Sequence, residues 1–144
     1  MRFLTLLLLT WSSLAFRSTP APAPAPVPAD AVVGRWLTPD KSGLIQIYAQ
    51  ASTYAGKIVG PLNPVQLDAH NPDPALRRRA LLGVLLLQGF RYADGAWQDG
   101  TIYDPKNGKT YSCTLRLASA NALEVRGYVG LSLFGRTETW TRQP

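Results

Sequence analysis

Residues 71–83 read NPDPALRRRALLG, and nowhere else do chemically capable side chains crowd so closely. Asp73 followed by Pro74 suits a helix N-cap and its first helical position, which predicts a short helix over residues 74–79. Asp73 and Arg77 stand four apart and can pair along it. Successive helical residues point about 100° apart, so at most two of Arg77, Arg78 and Arg79 can serve one ligand. Two readings follow. In the first, an arginine reaches back to Asp68 or Asp73 and pins a long loop. In the second, the loop is a lid, and Asp68, Asn71, Asp73 and Arg77 join Tyr103, Asp104, Lys109 and Arg126 in a polar mouth above an apolar interior.

The remaining chemistry is sparse. The chain has one histidine, His70, and one cysteine, Cys113, too few ligands for a zinc site, and its carboxylates lack the spacing of a calcium loop. The glycines of RGYVGLSLFGR are not followed by the Lys-Ser/Thr of a phosphate loop. Cys113 falls on a strand with Tyr111, Leu115 and Leu117 on its face, which predicts a buried, inert thiol rather than a nucleophile. No catalytic residue, cofactor or metal is predicted. A net charge of +6 raises nucleic-acid binding, but that needs a basic stripe interleaved with aromatics, and here only Arg77, Arg78 and Arg79 cluster.

The elements that must position these groups read as strands. Residues 32–38, 44–49, 54–60, 81–92, 96–103, 109–117, 122–129 and 136–142 are short runs bounded by turn formers. Asp40-Lys41-Ser42-Gly43, Ala93-Asp94-Gly95 and Ser119-Ala120-Asn121 fit tight antiparallel turns, and residues 104–108 put Pro and Gly where a turn wants them. Eight antiparallel strands in series leave two raw edges unless they close, so the expected fold is all-β: a small up-and-down barrel with one short helix in a loop. A two-sheet sandwich is the alternative.

Residues 1–16 carry Arg2, an apolar run from Phe3 to Leu9 extending to Trp11, and the small-residue pattern Ser13-Leu14-Ala15, the layout of a secretory signal peptide. Export to the periplasm or beyond is expected, with cleavage between about Ala15 and Pro20. No cysteine lies there to carry a lipid anchor, so the processed protein is not expected to be integral to a membrane. A single cysteine excludes an internal disulfide. Residues 17–31 form a Pro/Ala-rich spacer, extended at roughly 3.1 Å per residue, and residues 32–143 are the barrel domain.

Trp36, in Gly34-Arg35-Trp36, opens the first strand, and Arg142 lies near the end of the last. Barrel closure would set Arg142 over the Trp36 ring as a cation–π plug, a pairing that resembles the closing signature of the calycins and lipocalins. Together with GKIV at residues 56–59, NPDPALRRRALLG, GTIYDPKNGKTYSC at 100–113 and RGYVGLSLFGRTETWTR at 126–142, the chain resembles the secreted bacterial family known as domain of unknown function 2147. The resemblance runs from Gly34 to Arg142 and implies export and a small barrel, with no established activity and no catalytic residues. Members often carry cysteines just before the GKIV-like strand. This chain has Tyr54 and Ala55 there.

Three functions stay open. The expected one is a non-enzymatic barrel that takes an apolar or amphipathic small molecule. The second is an envelope interaction or assembly factor that engages a protein partner through an exposed Trp97, Tyr128 or the lid loop, and the third is an enzyme using carboxylates or tyrosines at the mouth. Interior volume discriminates the first two, because Trp36, Phe90, Tyr111 and Trp140 could fill so small a barrel.

Overall fold

The computed structural model describes residues 19–23, 25–61 and 64–144, so the predicted signal segment lies outside the described residues. Eight strands run in chain order: β1 (Gly34–Leu37), β2 (Leu44–Gln50), β3 (Thr53–Gly60), β4 (Leu85–Ala93), β5 (Ala96–Asp104), β6 (Lys109–Ser119), β7 (Ala122–Tyr128) and β8 (Arg136–Gln143). Each pairs antiparallel with the next, and β1 pairs with β8, so the sheet closes into the expected up-and-down barrel rather than a sandwich. Among the described residues helix is limited to three 3-10 turns, and none is long and apolar enough to cross a membrane.

One half of the barrel is filled. Trp36, Phe90, Trp97, Cys113, Leu115 and Leu123 are all fully buried there. Gly100 on β5 makes room for Phe90 on the neighbouring strand, since a Cβ at Gly100 would lie 2.4 Å from the Phe90 ring. Burial pushes the Cys113 thiol up to about 12, so it stays protonated and inert at neutral pH.

A 3-10 turn, Ala29–Val32, stoppers that end. Its carbonyls and side chains satisfy the polar tips of the aromatics beneath: Trp36 Nε1 donates to Val32 O (2.9 Å), Trp97 Nε1 to Ala29 O (3.0 Å), and the Tyr54 hydroxyl to Asp30. Arg142 completes the closure. Its guanidinium lies 4.2 Å from the centre of the Trp36 ring and donates to Val33 O, Ala31 O and Ala120 O. Gly34 has to lack a side chain for this, because its φ is +144° and a Cβ would sit 2.6 Å from the Arg142 guanidinium.

Three expectations need correction. Val27, Ala29 and Ala31, read as spacer, pack against the core, because the aromatics of the closed end need carbonyl acceptors that the barrel itself does not supply. The fourth strand starts at Leu85, not Leu81: Gly83 has φ +87° and its N–H turns to Ile58 O, which folds residues 81–84 into a corner. The predicted helix over 74–79 is a single 3-10 turn, Pro74–Leu76. The chain after it is drawn into antiparallel pairing, with Asp68 N–H donating to Arg79 O and Leu81 N–H to Gln66 O, so it cannot continue helically.

Candidate functional site

The other half of the barrel is hollow. A cavity of about 890 Å³ opens at the end ringed by loops 38–43, 64–84, 105–108 and 129–135. Strand alternation builds it. Ile45, Ile58, Ile102 and Val125 supply apolar wall, Trp140 lies at its base toward the filled half, and Tyr111 stands nearer the rim. Of the four bulky residues set against a hollow barrel, Trp36 and Phe90 belong to the filled half, whereas Tyr111 and Trp140 line the space.

Two charged side chains share the inner face of β8 with Trp140. Arg136 and Glu138 lie opposite Gly127 and Val125 in the register and line the cavity. Glu138 accepts from Trp140 Nε1 at 3.2 Å, which fixes the indole edge. Arg136 has no ion-pair partner among the described residues. Alternation along RTETW could have revealed this pair, since a strand that buries Trp140 inward must turn Glu138 and Arg136 the same way.

A polar bar crosses the mouth. Lys106, on the β5–β6 loop, meets Asp40, on the β1–β2 loop, with Nζ 2.6 Å from a carboxylate oxygen. Hydrogen bonding from Lys106, then from Ser42 and Thr38, holds the Asp40 carboxyl well below the usual carboxylate range, and Asp40 in turn raises Lys106. Asn107 donates to the Tyr111 hydroxyl at 2.9 Å beside this bar.

The residues predicted for the mouth divide by the strand and loop that carry them. Tyr103 and Asp104 line the cavity. Asp68 is fully buried and accepts from the Tyr103 hydroxyl, from Asn71 Nδ2 at 2.8 Å, and from Arg79 Nε and Nη2 at 2.9 and 2.8 Å. Burial works to raise the Asp68 carboxyl, but these donors outweigh it and hold it below its ordinary value. The same burial, then the bond to Asp68, pushes the Tyr103 phenol up to about 12.

Arginine 79 is therefore the one that reaches back to Asp68. Arg77 instead donates to Asn71 O at 2.8 Å, and Asp73 caps its own turn by accepting from Ala75 N–H, so the predicted Asp73–Arg77 pair does not form. Asn71 is buried, with its side-chain oxygen taken by Asp73 N–H. Asp68, Asn71, Asp73, Arg77 and Lys109 do not line the cavity.

Arg126 was expected at the mouth and lies outside it. It stands between the inward-facing Val125 and Gly127, so its side chain projects from the outer face, where it donates to Ser132 O, Leu133 O and the Thr137 hydroxyl. Trp97, expected to be exposed, is fully buried against Tyr54 and Tyr92, because it faces inward opposite Leu115. Tyr128 is half-buried at the cavity rim. No cluster of three or more metal-ligating side chains occurs among the described residues.

The barrel has a counterpart among solved structures. Protein HP1028 from Helicobacter pylori, described as belonging to the lipocalin family, superposes with a TM-score of 0.70 over 78% of this chain and 83% of that one, at 22% identity. That likeness establishes the lipocalin-like fold. No curated protein matches the chain. Residues 34–142, from the glycine that admits Arg142 to Arg142 itself, match the family described as an uncharacterized protein conserved in bacteria, DUF2147, and the chain belongs to that family.

Proposed function

We propose that the protein is an exported, non-enzymatic carrier or receptor for an apolar or amphipathic small molecule, held in the open half of the barrel. The observation that carries this reading is the cavity: about 890 Å³ of space with aliphatic walls and a tryptophan base, within the size range of small-molecule sites. A barrel meant only to present its outer surface gains from filling its interior, because unfilled apolar space forfeits packing contacts. Arg136, Glu138, Tyr103 and the Asp40–Lys106 pair gather polar groups toward the mouth, while the base is apolar. That gradient suits a guest whose tail enters first and whose head group stays near water. The buried Asp68 cluster supports the reading indirectly, as an anchor holding the β3–β4 loop beside the mouth.

Titration with 1-anilinonaphthalene-8-sulfonate tests it, followed by displacement with long-chain carboxylic acids and alcohols. Saturable one-to-one binding is expected, weakened in a Val125→Trp variant that narrows the cavity while melting normally. Absence of saturable binding, or equal binding by Val125→Trp, would overturn the proposal.

A further inference from the structure

The β7–β8 loop exposes apolar side chains in a way the barrel does not need. Val129, Leu131, Leu133 and Phe134 are 73, 68, 80 and 75% exposed within six residues of one another, a concentration that soluble surfaces seldom carry without a partner. Val129 and Phe134 also line the cavity mouth, and Leu67, half-exposed on the β3–β4 loop, lines it too. The patch is thus continuous with the entrance.

We propose that this loop docks on the surface of an anionic lipid bilayer, its apolar side chains inserted and the cavity mouth turned toward the membrane. Dehydrating a loop is costly when its backbone groups lack partners. Part of that cost is already met: Arg126 takes Ser132 O and Leu133 O, Phe134 N–H donates to Leu131 O, and Gly135 N–H to Ser132 O. Those bonds lower the cost of setting the carbonyls of residues 131–133 against a lipid surface, where no water would replace them.

Charge points the same way. Arg136 follows the loop, and Lys109 on β6 extends past the end of β7, because Ser112 is already opposite Tyr128. Both are exposed and neither has an ion-pair partner among the described residues. Apolar side chains flanked by free cations match an acidic headgroup surface. The docking goes beyond ligand binding and does not require the cavity to be occupied.

Vesicle co-sedimentation tests it, using the chain as recovered from the producing cell and vesicles of phosphatidylcholine with or without phosphatidylglycerol. Binding is expected to the mixed vesicles, reduced at least about tenfold by the combined Leu131→Ser and Leu133→Ser substitutions, neither of which touches the cavity lining. Arg136→Gln and Lys109→Gln should each lower it about fivefold, and only on the acidic vesicles. All variants share the same N-terminus, so differences belong to the loop, and thermal melting shows that each is folded. A Phe134→Trp chain, read as its difference from the parent, should shift to the blue and be quenched by brominated lipid. Equal sedimentation of the serine variant, no sedimentation of the parent, or an unquenched Trp at position 134 would each overturn the proposal. The serine variant should still titrate the naphthalene probe, so loss of docking and loss of cavity binding are read separately.

Discussion

Asp68 is the residue on which the loop beside the mouth turns. A carboxylate with no exposure survives because four donor contacts from Tyr103, Asn71 and Arg79 replace its water. Its folded pKa is depressed, so the stability it contributes is present above the unfolded value of about 3.9 and is lost as pH falls through the folded value. Asp68→Asn should cost roughly 1 to 3 kcal/mol at neutral pH, since it leaves Arg79 facing a weaker acceptor. It should also flatten the acid limb of a plot of melting temperature against pH. An unchanged limb would place the acid sensitivity elsewhere. Asp40 shares the direction of shift, but its pair with Lys106 is solvent-exposed and contributes little. NPDPALRRR announced a pinned loop, yet which arginine would reach which aspartate was not legible, because that choice follows from the Leu67–Ala80 bridge rather than from helical spacing.

At the scale of elements, the barrel depends on a seam only three residue pairs long, Arg35–Gln143, Trp36–Arg142 and Leu37–Thr141. So short a ladder needs help from side chains, and the Trp36–Arg142 stack with the carbonyls of Ala31 and Val33 provides it. Trp36→Ala should destabilise by roughly 3 to 5 kcal/mol and Arg142→Ala by less. A double-mutant cycle in urea should return a coupling energy on the order of 1 kcal/mol, and strict additivity would show that the stack carries no energy. Strand count, order and closure were readable, because turn formers separate the runs and Gly34, Trp36 and Arg142 mark the ends. Strand parity was harder to read. Gly89 and Asp99 have positive φ and break the alternation of β4 and β5, and the register between β5 and β6 shifts between Trp97 and Gly100, so the direction of Trp97 could not be read from simple two-residue counting.

For the whole molecule, one half is packed and the other hollow, a division that no count of aromatics reveals, because it depends on which layer each ring occupies. Trp140 and Trp36 are equally bulky, yet one lies at the base of the cavity and the other plugs the far end. Export remains our proposal for the molecule as a unit. N-terminal sequencing of protein from the periplasmic or secreted fraction should find a start between about Ala15 and Pro20, and an intact Met1 in the cytoplasm would contradict it. The stopper formed by Ala29–Val32 also gives the barrel a polarity. The chain enters beside Val27 and ends beside Arg35, which donates to the carbonyl of Pro144, so both leads emerge at the pole opposite the opening. Anything grafted to either lead, whether a bead, a reporter or a second domain, hangs behind the barrel like a handle behind a cup and leaves the rim free to meet what lies in front of it.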